Sequence, residues 1–399
     1  MAGFEKRVIF ARRRKAVLAA VSAVLSFSGM VAEAATWTWL GPSPGTQTNP
    51  NTGNWNLGTN WGPSGLPTSV AATELWFGGS GANSYTSTND RTSVSFGVIS
   101  LNSTSTLQNT IAGNEPFRDA DISIVQNGSG AFLLSTNFIF MDQVFTLGGN
   151  GGGVVTINST IAGESNGQSL NNLIKNGLST YRLTGSSSAD VDVTTLNAGL
   201  VIADFTNNTN AKMAGGNLTL AGGNLSLVAN TSANATESFD ATALNAGAST
   251  LTVNGAASRT TTLNLNQVTR AVGGTMNVVY GATGTNRVLT DTDNGTGNIL
   301  GGWATFNGTD WAVSAASASD TVISALGSYT NDTWSAGTNT TVTAAGANPP
   351  SGSTTNTLRF NATAAKALTL AGTNTVNSGG ILITPGVGNN AITITGGNL

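Results

Sequence analysis

The sequence predicts an all-β chain wound as a β-solenoid, and three observations carry that expectation. Short runs alternate apolar and small polar residues, turn residues separate the runs, and whole phrases repeat. The runs include Leu218-Thr219-Leu220, Leu225-Ser226-Leu227, Leu251-Thr252-Val253, Leu263-Asn264-Leu265, Leu368-Thr369-Leu370, Ile381-Leu382-Ile383 and Ile392-Thr393-Ile394. Period two sends neighbouring side chains to opposite faces of a strand, which sets aliphatic residues inward and Thr, Ser or Asn outward. Thr suits this role because its branched side chain packs well on a pleated surface. An inward face of two residues is too small to make a core, so the strands must stack. GGNLTLA at Gly215–Ala221 is followed at once by GGNLSLV at Gly222–Val228, and Gly396-Gly397-Asn398-Leu399 opens the same phrase again. Repeats that need their neighbours to bury each face are the mark of a solenoid. Gly and Asn tolerate left-handed backbone, so NAG at Asn197–Gly199 and Asn245–Gly247 suits coil corners. Coils of roughly 20–25 residues would number on the order of 15–18, with Asn and Thr ladders between them. Packed β-sandwiches, which also use short strands at turn-rich spacing, are the competing architecture.

Composition narrows the chemistry. Of 399 residues only 9% are charged, and Ser, Thr, Asn and Gln make up about 37%, where ordinary domains are roughly 25% charged. Cys and His are both absent. That excludes disulfides, Cys or His nucleophiles and bases, Ser-His-Asp triads, zinc-finger sites, and haem ligation through His or Cys. No cofactor and no catalytic, cofactor-binding or metal-binding residue is assigned, and no enzyme activity is expected.

Residues 1–35 read as a secretory signal peptide. Lys6, Arg7, Arg12, Arg13, Arg14 and Lys15 precede an apolar stretch from Ala16 to Met30, and Ala32-Glu33-Ala34 supplies a small-residue cleavage site. The stretch is shorter than the ~20 residues of a membrane span, so no stable span is expected in the mature chain. From Thr36 onward ten basic residues face seventeen acidic ones, a net charge of −7. No Lys/Arg cluster remains to meet phosphate, which argues against a nucleic-acid partner.

Residues 36–80 form a distinct segment with Trp37, Trp39, Trp55, Trp61 and Trp76 beside Pro42, Pro44, Pro50, Pro63 and Pro67. A solenoid exposes its core at its end and needs an atypical cap, which bulky aromatics would supply. Solenoid repeats are expected over 81–280. An irregular excursion with Trp303, Trp311, Trp334 and Pro349-Pro350 is expected over 281–350, and repeats again over 351–399.

Several phrases resemble the autotransporter-associated β-strand repeat proteins, an exported bacterial family. They are LIKNGLSTYRLTGSSSADVDVTTLNAGLVIADF at Leu173–Phe205, TTLNLNQVTRAVGGTMNVV at Thr261–Val279, ILGGWATFNGTDWA at Ile299–Ala312, and the stretch Leu358–Leu399. The opening ATWTWLG with GNWNLGTNW is similar to the family's mature N-terminus. Tyr181-Arg182 departs from the pattern as an interruption of its strand, and Asp190 and Asp192 stand at turn positions. The resemblance implies a right-handed parallel β-helix, secreted or on the cell surface at the outer membrane, with a structural or adhesive role. It also implies a C-terminal barrel or sorting tail, so the last repeat reads as truncated. Envelope components or extracellular glycans are the expected partners.

The remaining chemistry would rest on carboxylates. Asp119/Asp121, Asp190/Asp192 and Asp291/Asp293 each stand two apart, which within a strand places both on one face. Such a pair could hold Ca²⁺ or supply acid and base for glycan cleavage, and a solvated turn is the plainer reading. A polysaccharide-binding or polysaccharide-cleaving β-helix is therefore the alternative function. DTDNGTG at Asp291–Gly297 lacks the later Glu of a calcium loop, and the glycines at Gly148–Gly153 are followed by no GK[ST] of a phosphate loop. Trp37/Trp39 and Trp303/Trp311 are candidate sugar-stacking platforms, with packing in a cap or core as the alternative.

Overall fold

The computed structural model describes residues 35–399 apart from 93, 95, 115–120, 142–143, 164–171, 188–190, 214, 316–319 and 345–347. The predicted leader, residues 1–34, lies outside the described residues, as do Asp119 and Asp190. Half of the chain is β-strand, and the strands stack into a β-solenoid of about 12 turns. The ladders are parallel, so the sandwich alternative is set aside, because sandwiches pair their strands antiparallel.

A coil passes through a first sheet, a second, and then a third. Asn217–Leu220, Asn224–Val228 and Ala235–Ser238 make one coil, and Ala241–Leu244, Gly247–Asn254 and Thr260–Asn264 make the next. The alternation read from sequence sets the phase. Leu218, Leu220, Leu225 and Leu227 are fully buried, while Thr219 and Ser226 between them are half-buried. In the first sheet the partners Phe145, Leu173, Thr194, Leu218, Thr242 and Val268 follow one another at intervals of 21–28 residues. Coils at the upper end of the expected length, and chain spent on the two ends, reduce the predicted 15–18 coils to about 12.

Both ends of the long stack switch to antiparallel pairing. At the start, Thr36–Trp39 pairs antiparallel with Trp61–Gly62, setting Trp39 opposite Trp61. Trp39, Trp55 and Trp61 are buried, and the Trp55 and Trp61 rings meet edge-on with centroids 5.5 Å apart. Trp55 stacks on Phe77, so the aromatics close the core as a cap should. At the far end Ala304–Phe306 pairs antiparallel with Asp310–Val313, and Thr285–Thr290 with Thr321–Val322. A second parallel stack follows, with strands Asn339–Val342, Thr354–Phe360 and Thr375–Ile383 in one sheet and Lys366–Thr373 and Ile392–Asn398 in another. It has its own core of Val342, Leu358, Phe360, Leu368, Leu370 and Val387.

Tyr181-Arg182 does not interrupt its strand. Thr180–Leu183 is continuous, with Tyr181 and Leu183 inward and Arg182 outward. The Tyr181 ring fits the core because its hydroxyl proton is shared between the carbonyls of Ile124 and Gly148, at 2.7 and 2.8 Å. Arg182 pairs with Asp204 of the next coil at 2.8 Å. Asn ladders form at coil corners, where Asn127 Nδ2 donates to Asn102 and Asn197 Nδ2 to Asn176.

Candidate functional site

Of the three carboxylate pairs, only Asp291/Asp293 lies wholly among the described residues, and it does not share a strand face. Asp291 and Asp293 follow strand Thr285–Thr290 in irregular backbone, so no shared strand face holds them. Asp291 is used locally, accepting the Asp320 backbone N–H at 2.7 Å, and Asp293 is exposed. Asp121 is exposed and Asp192 half-buried; their predicted partners lie outside the described residues. Among the described residues, no three of Asp, Glu, His or Cys gather closely enough to hold a metal ion. No helix there is long and apolar enough to cross a membrane.

Within Gly148–Gly153, Gly149, Gly151 and Gly153 serve coil stacking. Gly149 has φ +96°, and a Cβ there would stand 2.1 Å from the Gln126 carbonyl oxygen of the previous coil. The same closeness recurs for Gly151 over Gly128 and Gly153 over Gly130. Glycine here lets backbone approach backbone, which no other residue permits.

Sequence reading missed a set of buried charges. Lys212 is 1% exposed, and its Nζ donates to the Gly185 carbonyl at 2.8 Å and to Asn208 Oδ1 at 2.6 Å, 5.0 Å from the Phe205 ring centre. Burial pushes its pKa down to about 8. Lys175 is likewise enclosed, bonding the Asn176 and Gly177 carbonyls at 2.7 Å, and burial takes it down to about 8. Glu237 is fully buried, and desolvation raises its carboxyl to about 7, offset in part by backbone N–H donors and the charge of Lys212. These side chains cap orphaned corner groups, so they bear on stability. Their only sequence signal is a lone charge at an inward strand position or beside a Gly turn.

A further cluster joins the two stacks. The Arg359 guanidinium lies 3.4 Å from the centre of the Tyr329 ring and forms an ion pair with Asp310. Its Nε donates to Thr341 Oγ1 at 3.1 Å. Burial lifts the Tyr329 phenol to about 12, and its oxygen accepts the Trp311 backbone N–H at 3.0 Å. Beside it opens a polar cavity of about 370 Å³ lined by Asn298, Ser328, Tyr329 and Asn339.

The Trp pairs divide. Trp39 is core and Trp37 packs against it half-buried, so that pair belongs to the cap. Trp303 and Trp311 line a groove of about 270 Å³, with Thr250, Asn277 and Thr305 on one side and Ile381 on the other. The second stack reaches this wall because Gly302 and Gly380 pass in close contact. A Cβ on Gly380 would meet the Trp311 ring at 2.7 Å, and one on Gly302 would meet the Gly380 nitrogen at 2.7 Å. Trp303 is half-buried, whereas Trp311 is 2% exposed and its indole Nε1 has no hydrogen-bond partner. The groove carries no charged side chain. Such a surface can hold a neutral ligand with an apolar face and hydroxyl edges.

No family model matches the chain, and neither a curated protein nor a solved structure is significantly similar to it.

Proposed function

We propose that this chain is an exported structural protein, secreted or held at the cell surface, whose lateral faces make adhesive contacts without catalysis. The carrying observation is the long parallel ladder with outward Thr, Ser and Asn, whose buried charges are spent on coil corners and on local partners. Catalysis needs acid and base converging on one reacting atom, and the use of Asp291 as an acceptor for the Asp320 backbone N–H supports a structural role for that carboxylate instead. The basic-apolar leader supports export, and the likeness of Leu173–Phe205 to autotransporter-associated repeats supports a surface location. Incubating the purified protein with a panel of polysaccharides tests the reading, with intact polymer as the expected result. Release of products, abolished by Asp291→Asn, would overturn it.

The second reading, a polysaccharide-active solenoid, is favoured in its binding half by the groove at Trp303 and Trp311. Its cleaving half has no comparable support, since Asp291 is engaged by Asp320 rather than facing a groove.

A further inference from the structure

We propose that the groove between Trp303 and Ile381 is a binding site for one neutral hexopyranosyl unit of a glycan. The inference rests on the adhesive reading above and names the ligand class of one lateral face.

Four observations select this ligand. First, the walls carry no charged side chain, so a uronate or phosphate would be desolvated without a counter-charge. Second, the half-buried Trp303 ring lines the groove and offers an apolar surface to the C–H face of a pyranose. Third, Thr250, Asn277 and Thr305 align across three successive coils in register, giving polar rungs about 4.8 Å apart. The Asn277 carbonyl oxygen accepts from Thr305 Oγ1 at 3.0 Å and from the Gly308 N–H at 2.9 Å, which fixes the amide and leaves its Nδ2 to donate. Fourth, the volume of about 270 Å³ falls below the roughly 300–1,000 Å³ typical of drug-sized ligands, which suits a single ring.

The site also explains an apolar residue left in the open. Ile381 is 43% exposed at the groove edge, where a sugar ring would cover part of it. The pocket exists only because two stacks meet, with Gly302 and Gly380 allowing the approach and Trp311 held between them.

The test uses the full mature chain, titrated with methyl glycosides and disaccharides of neutral hexoses and N-acetylhexosamines. Saturation-transfer NMR and calorimetry read binding, with digalacturonate as the charged probe. Saturable binding of at least one neutral sugar is expected, and none of digalacturonate. Trp303→Ala and Ala248→Arg should each weaken it about tenfold or more. Ala248 is an exposed groove residue, so its Arg variant blocks the site while circular dichroism and melting stay unchanged. No saturable binding of any neutral probe, binding indifferent to both variants, or a preference for digalacturonate would overturn the proposal. Surface location and lack of turnover are measured separately, so the structural reading survives an empty groove.

Discussion

The carboxylate of Glu237 accepts the backbone N–H of Lys212, 2.8 Å away and one coil earlier, with the Met213 N–H beside it at 2.9 Å. A buried acid thus holds the corner that precedes it. Desolvation raises its pKa from the ordinary 4.5 to about 7, so the folded chain keeps a proton that the unfolded chain releases. Between those values the folded state binds more protons, and stability falls as pH rises. The slope is at most about 1.4 kcal/mol per pH unit. Urea midpoints of the wild type should drop from pH 4.5 to 7 more steeply than those of Glu237→Gln. Parallel profiles would contradict the assignment. Lys212, lowered to about 8, acts in the other sense at higher pH, because there the unfolded chain binds the extra proton.

The Trp cap is expected to limit fraying at the start of the ladder. Trp61 is buried, its Nε1 donates to the Trp55 carbonyl at 3.2 Å, and its ring packs on Trp39 and Phe77. Trp61→Ala should cost about 3–5 kcal/mol in chemical unfolding. Since coils couple mainly to neighbours, hydrogen exchange should accelerate in strand Val70–Phe77 more than in Gln267–Arg270. Uniform acceleration would show that the aromatics are not a local cap.

Coil stacking at Gly149 tolerates no side chain. With a Cβ 2.1 Å from the Gln126 oxygen and a left-handed φ, Gly149→Ala should destabilise by about 2 kcal/mol or more. Gly308→Ala is the control, since Gly308 also has a positive φ but open space around it, and should cost only about 1 kcal/mol. Thermal melts of the two variants compare the effects directly.

Arg359 ties the second stack to the end of the first. Replacing it by Ala strands Asp310 and bares the Tyr329 ring, at a cost of about 3 kcal/mol. Strands Thr354–Phe360 and Thr375–Ile383 should then exchange amide protons ahead of the long stack, as read by hydrogen-exchange mass spectrometry. Arg359→Lys should recover little, because an ammonium cannot both stack on the ring and present a planar fork.

Strand positions and phase were legible wherever Leu alternates with Thr or Ser, as at Leu218 and Leu225, because period two permits one phase with the apolar residues inside. Ile381-Leu382-Ile383 lacks that information, being apolar at all three positions. Its isoleucines face outward, exposed at 43% and 55%, while Leu382 is half-buried. The Trp-rich start was legible by composition. The antiparallel closure that sets Trp311 opposite Thr305 was not, since it depends on where the last coil ends. Glu237 and Lys212 escaped the sequence reading, because their roles come from corners 24 and 25 residues apart in sequence. Trp303 and Trp311 were singled out early, but their groove needed Ile381 from another stack.

The central claim is an exported solenoid that works at the cell surface. Fractionation of producing cells, with N-terminal sequencing of the recovered chain, tests it most directly. The account predicts a chain beginning at Ala35 or Thr36, found in the medium or digested by protease added to intact cells. A chain that retains the residue 1–34 segment and stays protected inside the cell would contradict it.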